Sequence, residues 1–503
     1  MLRLVLAFSG FLMTTIASAQ FCGTPQQILL DRVDELKKSP AFGERSAQKY
    51  IPVTFHLVAN SAGTGRVQEE AVLLQLANLN QQYADQQAVF YIDHFNYFDN
   101  DAVYNMPASP AAITQMRLRK DNNSLNLFIT NKADNGGETP GTVLAYYDPN
   151  EDWVVSRRDQ ISSISSTIAH EFGHFFSLAH PFSGWDCKPY TTTDYTNPVN
   201  VDFTKPCDSG GGSALIELQN GSNCTIAGDR ICDTPPDYNL GLLYQNDCSE
   251  NTTIKDKNGQ LITPIVNNYM SYYRDCASYT FTATQKTLIN ASFFSAQRAY
   301  IRTGVIPNTT PVTGPVNYIY PINGEMTPSP TGIVLDWEDT PGANRYMILV
   351  ARNQTFTQSP QKLFSLLSMV TIPGGLTTGV TYYWKVWPYN ESQTGAMYSA
   401  TQNFVVGTGV GVNDIKEINS YSLDPNPVSF NQESVLNMTS IKAFDAVLKI
   451  STSSGQILST RSMTIPSGES QHTISTTDFP PGIYFVMMYS AGGNLVERLL
   501  VTE

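Results

Sequence analysis

The sequence predicts a multidomain chain: an α/β (α+β) domain followed by two all-β sandwich domains. Three observations carry this. The length, 503 residues, exceeds what one hydrophobic core organises. Between Tyr50 and Thr303, strand-like runs alternate with runs of helical period. After the Pro/Thr/Gly-rich stretch Thr303 to Asn317 (TGVIPNTTPVTGPVN), short alternating strands take over.

Residues 1–19 have the layout of a secretory signal peptide. Arg3 supplies the positive end, Leu4 to Met13 the apolar core, and Ala17-Ser18-Ala19 the small-residue cleavage site, so Gln20 is the expected mature start. The apolar run is too short to span a bilayer and no later one is long enough, so no transmembrane segment is expected. Residues 20–49 are mostly polar, with one helix expected from Gln26 to Lys38. In the first domain, 50–303, Ile51 to Val58 reads as a strand. Val67 to Tyr83 reads as an amphipathic helix, with Val72, Leu73, Leu76 and Leu79 at helical spacing. Phe90 to Phe95 and Leu125 to Thr130 read as strands, and Ser162 to Leu178 as a helix. Pro181 to Asn268 is long, irregular and rich in Gly, Pro, Asn, Asp and Cys. Ordered loops of that size usually serve a binding site.

Residues 304–317 are a linker, and 318–406 a β-sandwich whose clearest strands are Ile333 to Trp337, Arg345 to Val350 and Thr381 to Trp387. In the last of these Tyr382, Trp384 and Val386 share one face, which reads as core packing. The turn-rich Gly407 to Gly411 marks a second boundary. Residues 412–503 are again short strands, among them Ala446 to Ser451, Gly482 to Tyr489 and Arg498 to Val501.

The net charge of −13 excludes nucleic acid as the expected partner, because phosphate binding needs a basic face. Six of the seven cysteines (Cys187, Cys207, Cys224, Cys232, Cys248 and Cys276) cluster in one region of a chain expected to be exported. This predicts disulfides and leaves their pairing open. Cys22 stands apart.

Chemistry concentrates in residues 170–180, HEFGHFFSLAH, which hold three of the chain's six histidines. On a helix His170 and His174 lie about 40° apart in rotation and one turn apart in height, so both imidazoles can meet one zinc ion. Glu171 adjoins the first ligand, as a general base must. His180 joins them only if the chain turns sharply after the helix. Three histidine ligands leave a fourth position for water, which is the catalytic arrangement. The plain alternative is a buried helix, and the third histidine argues against it. His56, His94 and His472 lack partners at ligand spacing and read as structural or surface residues.

With these motifs in place, residues 50–303 resemble the pappalysin-like (cytophagalysin) metzincin metallopeptidases. Four features carry the resemblance: the motif at 170–180; Asn268-Tyr269-Met270-Ser271-Tyr272, similar to the metzincin Met-turn; Gly228-Asp229-Arg230-Ile231-Cys232-Asp233-Thr234-Pro235, similar to a GDxxxDTP loop; and the opening strand IPVTFHLV followed by a helix. One position departs: metzincins usually have glycine where this chain has Ser177. Serine costs roughly 1 kcal/mol in the positive-φ turn expected there.

The resemblance implies a secreted zinc-dependent endopeptidase acting on protein or peptide substrates. His170, His174 and His180 would hold zinc, and Glu171 would be the general base toward zinc-activated water. Met270 would support the histidines from below. Tyr272 would stabilise the tetrahedral intermediate, or else pack under the site. Asp229, Asp233 and Thr234 offer oxygen ligands for calcium, with Asx-turns as the equal alternative. Cys248 and Cys276 are similar in placement to a family disulfide. Cys22-Gly23-Thr24 resembles the pro-segment cysteine of latent metzincins, which implies that residues 20–49 are a pro-segment. Cys22 would then be a fourth zinc ligand in a latent precursor, unless it is a free thiol or a disulfide partner.

Residues 318–406 resemble a fibronectin type III-like module. Residues 412–503 resemble the C-terminal sorting domain of type IX secretion substrates. Leu423-Asp424-Pro425-Asn426-Pro427, Ser454-Gly455-Gln456 and Pro481-Gly482-Ile483-Tyr484-Phe485-Val486 are its landmarks. This implies the type IX machinery as partner and outer-membrane export to the surface or medium. A monomer is expected. Two other readings stay open: a secreted adhesive or binding protein with a degenerate peptidase domain, and a zinc site whose third ligand is a downstream carboxylate, Glu217 being the nearest.

Overall fold

A computed structural model describes residues 21–22, 24–40, 42, 47–133, 143–185, 199–200, 213–243, 248–249, 254–274, 276–327, 330–407, 415–452, 456–490 and 493–503. The expected signal peptide, Cys187, Cys207 and Ser454-Gly455 lie outside the described residues, and of Cys22 only the backbone is described.

The strand-forming runs of the N-terminal part are β1 (Phe21–Cys22), β2 (Lys49–Ala59), β3 (Ala88–Asp99), β4 (Leu125–Thr130), β5 (Val143–Asp148) and β6 (Trp153–Arg157). They pair as one mixed sheet in the order β1-β5-β6-β4-β2-β3. β5 runs antiparallel to β6, and every other pairing is parallel. β2 and β4 are buried almost throughout, as strands covered on both faces are. The helices are α1 (Gln27–Lys37), α2 (Glu69–Gln82), α3 (Asp101–Asn105), α4 (Pro110–Arg117), α5 (Thr167–Phe175), α6 (Leu240–Leu243) and α7 (Ala283–Phe294).

Three differences from the sequence expectation have physical reasons. The helix expected from Ser162 begins at Thr167 because serine hydroxyls compete for the backbone: Ser165 N donates to Ser162 Oγ (3.2 Å) and Thr167 N to Ser165 Oγ (3.2 Å). The β5–β6 hairpin turns at Asp148-Pro149-Asn150-Glu151, where the Asp148 carboxylate accepts from Asn150 N and Glu151 N. α7 lacks a clear apolar stripe because most of its surface is buried, and its signal is instead a capping box between Thr282 and Gln285.

The chain divides into two units, residues 1–311 with 389–395, and residues 312–388 with 396–503. In the second unit, the strands of 318–406 form a five-stranded and a three-stranded sheet. Trp337, Tyr346, Tyr382, Trp384 and Val386 lie in the core of that region. Residues 415–503 build a three-stranded and a five-stranded sheet around Leu436, Leu448, Val486, Met488 and Leu499.

Candidate metal centre

α5 carries His170, Glu171 and His174, all buried. Its place is set from several sides. Tyr83 OH donates to Ala169 O (2.9 Å), and Phe172 packs on Phe90. At the far end Arg298, fully buried, donates to Phe175 O and lies 3.7 Å over the Phe175 ring. Asp152 neutralises Arg298 at 2.6 Å.

The helix ends at Phe175, and two residues on Ser177 has a φ of 74°, the left-handed conformation expected just past a helix C-cap. Leu178 N then donates to Gly173 O (3.0 Å) and Ser177 N to His174 O (2.8 Å), and the chain reverses. Ser177 Oγ lies 3.3 Å from Ser292 Oγ of α7, so the serine holds this turn with a polar contact glycine would lack.

The reversal brings His180 to the other two histidines. The three Nε2 atoms form a triangle with sides of 3.2, 3.1 and 3.1 Å. His170 Nδ1 lies 2.7 Å from Tyr269 O and His174 Nδ1 2.7 Å from Leu178 O. A carbonyl only accepts, so both Nδ1 atoms carry the proton and both Nε2 atoms present lone pairs. Burial, first, and the neighbouring imidazoles, second, hold His170 down to about 3 and His174 well below its ordinary value, so both stay neutral. Facing lone pairs in a dry pocket repel unless a cation lies among them. Zinc–nitrogen bonds of about 2.0–2.1 Å in a tetrahedral shell put nitrogens about 3.3 Å apart, close to the observed sides. The donor set therefore fits a borderline-soft divalent ion.

Met270 is fully buried beneath this group. A Cβ at Gly173 would stand 2.4 Å from Met270 Sδ, so only glycine fits between His170 and His174 on that face. Asn268 shapes the turn: its Oδ1 accepts from Met270 N (2.9 Å) and its Nδ2 donates to Gln285 Oε1 (2.8 Å). Ser271 donates to Asp237, a carboxyl that burial pushes up to about 6. The Tyr272 ring packs on His180 (5.2 Å between centroids) and Phe182 (4.5 Å).

The segment before α1 runs into the site. Tyr147 N of β5 donates to Thr24 Oγ1 (2.9 Å), and Thr24 Oγ1 lies 3.3 Å from Glu171 Oε2. His180 N donates to Gln26 Oε1 (2.9 Å). The Cys22 backbone pairs in parallel with Ala145.

Among the described residues, no carboxylate joins the histidine group, and Glu217 lies elsewhere, beside Gly228 and Asp229. That corrects the reading in which Glu217 is the third ligand. Glu217 Oε2 is buried without a hydrogen-bond partner. Burial, first, and Asp229, second, push Glu217 well above the usual carboxylate range. Asp229 is pushed up too, chiefly by burial. Thr234 Oγ1 donates to Asp229 (2.8 Å), whereas Asp233 caps α7, accepting from Thr282 Oγ1 and Thr284 N (2.8 Å each). The expected trio is thus split. Glu217 is the partner of Asp229 that sequence spacing did not reveal. Cys248 is joined to Cys276 and Cys224 to Cys232, closing loops of separation 28 and 8. The first bridge packs with Ile216, Tyr238, Ile262 and Tyr273 behind the Met270 turn.

Comparison with known proteins adds the following. Residues 422–502 match the family model described as a secretion system C-terminal sorting domain. This tail directs export by the type IX machinery, so the protein is secreted or held at the cell surface. Among the described residues no helix is long and apolar enough to cross a membrane. No curated protein matches the chain. A promirolysin mutant from Tannerella forsythia aligns at 16% identity over 54% of this chain and 88% of its own, with a TM-score of 0.36. The FN1–FN3 domains of chicken CNTN1 align at 11% identity over 40% of this chain and 68% of their own, with a TM-score of 0.17.

Proposed function

We propose that the protein is a secreted zinc-dependent endopeptidase made as a latent precursor. The observation that carries this is the triangle of histidine nitrogens with Glu171 on the same helix. His170, His174 and His180 would hold zinc, which would supply Lewis acidity toward water and a peptide carbonyl. Glu171 takes the proton of the attacking water and delivers it to the leaving amine. Tyr272, whose ring packs beside His180, is the proposed donor to the developing oxyanion. Nδ1 protons of His170 and His174, donated to backbone carbonyls, fix both rings and raise their basicity as ligands.

Contacts of Thr24 and Gln26 within the site support the latent reading. Thr24 occupies Glu171 while Gln26 holds the His180 loop, and Cys22 two residues upstream is the proposed fourth zinc ligand. The oxygens expected to hold calcium are otherwise engaged, Thr234 on Asp229 and Asp233 at the N-terminus of α7. The β-modules after residue 311 alone would suit an adhesive protein. The intact base and ligands favour the enzyme.

Glu171→Gln tests the function. It keeps its metal and loses cleavage of casein by about 10²–10⁴-fold; unchanged cleavage sinks the mechanism. Cys22→Ala yields precursor that cleaves casein before maturation, and an unchanged lag overturns the latch.

A further inference from the structure

We propose that the surface which α1 covers around Arg230 becomes a substrate exosite. Once α1 is released, it docks an acidic amphipathic helix belonging to a protein substrate. The inference rests on the peptidase reading above and on departure of residues 20–49.

α1 begins at Gln27, three residues after Thr24, which lies on Glu171. The chain therefore passes from the reaction point straight into a second binding surface. α1 buries Leu29, Leu30, Val33 and Leu36, a stripe at i, i+1, i+4 and i+7, and packs against α7. Its acidic edge meets Arg230: Nη1 lies 2.5 Å from Asp34 Oδ2 and 3.7 Å from Asp31 Oδ1, and also donates to Leu30 O (3.2 Å). Lys37 Nζ donates to Arg230 O.

The two sides of this contact are built differently. Arg230 has a φ of 63° and sits two residues before Cys232, within the loop closed by the Cys224–Cys232 bridge. The bridged loop constrains its backbone, and α1 adds the Lys37 contact to Arg230 O. Loss of α1 would uncover the surface against which Leu29, Leu30, Val33 and Leu36 pack, beside a guanidinium that has lost both carboxylates. The matching ligand is a helix with that apolar spacing and carboxylates at the positions of Asp31 and Asp34. Helix-in-groove binding supplies affinity, and the arginine–carboxylate pair supplies selectivity. A substrate so docked is held near the site at raised effective concentration, which lowers KM and leaves kcat unchanged.

The test uses protein matured from the full-length precursor and two cleavable peptides. One carries a tail with the sequence of residues 26–38, the other the same tail with asparagine in place of both aspartates. The acidic tail is expected to give a KM about tenfold lower at equal kcat. Arg230→Glu is expected to abolish that difference, and a tail with lysines at the two positions to restore it. The restoration also certifies that the variant folds. Equal KM for the two wild-type tails overturns the proposal, as does an active form whose N-terminus still includes α1. If neither peptide is cut, the peptidase reading fails instead. Anisotropy of the labelled tails then decides the exosite by itself: a roughly tenfold difference in Kd supports it, and none overturns it.

Discussion

Among the described residues, two groups of side chains gather three residues of metal-ligand type each: His170, His174 and His180 in one, Asp93, His94 and Asp121 in the other. The first is buried. In the second, Asp93 and His94 are exposed and Asp121 is half-buried. His94 spends its Nδ1 on Asp93 at 2.8 Å, whereas His170 and His174 spend Nδ1 on carbonyls and turn Nε2 toward a common point. A third environment completes the contrast. His56 is as buried as the triad, yet its Nε2 meets Asn126 Oδ1 (2.9 Å) and its Nδ1 meets Asn96 Nδ2 (3.1 Å). Neither proximity nor burial makes a metal centre. What separates the triad is a second shell that fixes the tautomer and leaves lone pairs converging.

The largest effect expected from this contrast is on stability with and without metal. Chelation removes a ligand bound only by the folded state. Its removal should cost about 4 kcal/mol, read as a fall in Tm, if the metal had been present at about a thousand times its Kd. His94→Ala should leave that fall unchanged. A similar loss in His94→Ala would move metal-linked stability to the exposed group.

His56 gives the next effect. Burial, chiefly, holds its pKa down to about 4, against an ordinary value of 6.5. The unfolded chain therefore takes up a proton that the folded protein refuses, between those two values. The stability is fully present above pH 6.5 and is lost as pH falls toward 4, by roughly 2–3 kcal/mol. His56→Gln should flatten urea-measured stability across that window. An equally steep decline in the variant would assign the loss to other groups.

Gly173→Ala tests the closeness of Met270. Overpacking of this kind costs about 1–3 kcal/mol and should weaken metal retention. The double variant with Met270→Leu, which removes the sulfur from the contact, should recover part of the loss. The smallest effect is expected for Ser177→Gly. Glycine relieves about 1 kcal/mol of positive-φ strain but gives up the contact with Ser292, so a stability gain below 1 kcal/mol is expected. A clear loss would mean that the serine contact outweighs the strain.

Much of the site was legible because its signals are local. The ligand spacing, the base beside the first histidine, the turn at Ser177 and the Met270 turn all follow from short runs of residues. What sequence did not reveal depends on long-range packing. Gly173 has its meaning only once Met270 lies under it, and Glu217 only once the chain folds it against Asp229. Asp233 reads as a cation ligand from its place in the GDxxxDTP-like loop, yet the N-terminus of α7, some fifty residues on, takes it. Among the strands, β2 and β4 were plain from their apolar runs. The β5–β6 hairpin lay unread although Asp148-Pro149 carries a turn signal. Arg298, buried at the end of α5, had no sequence signal, since arginine is ordinarily a surface residue.

If the buried triad, and not the exposed group, holds the proposed zinc, elemental analysis of purified wild type, His174→Ala and His94→Ala will separate the two. One zinc per chain is expected in wild type and His94→Ala and none retained in His174→Ala. Zinc kept by His174→Ala, or absent from wild type prepared without chelator, would overturn the assignment.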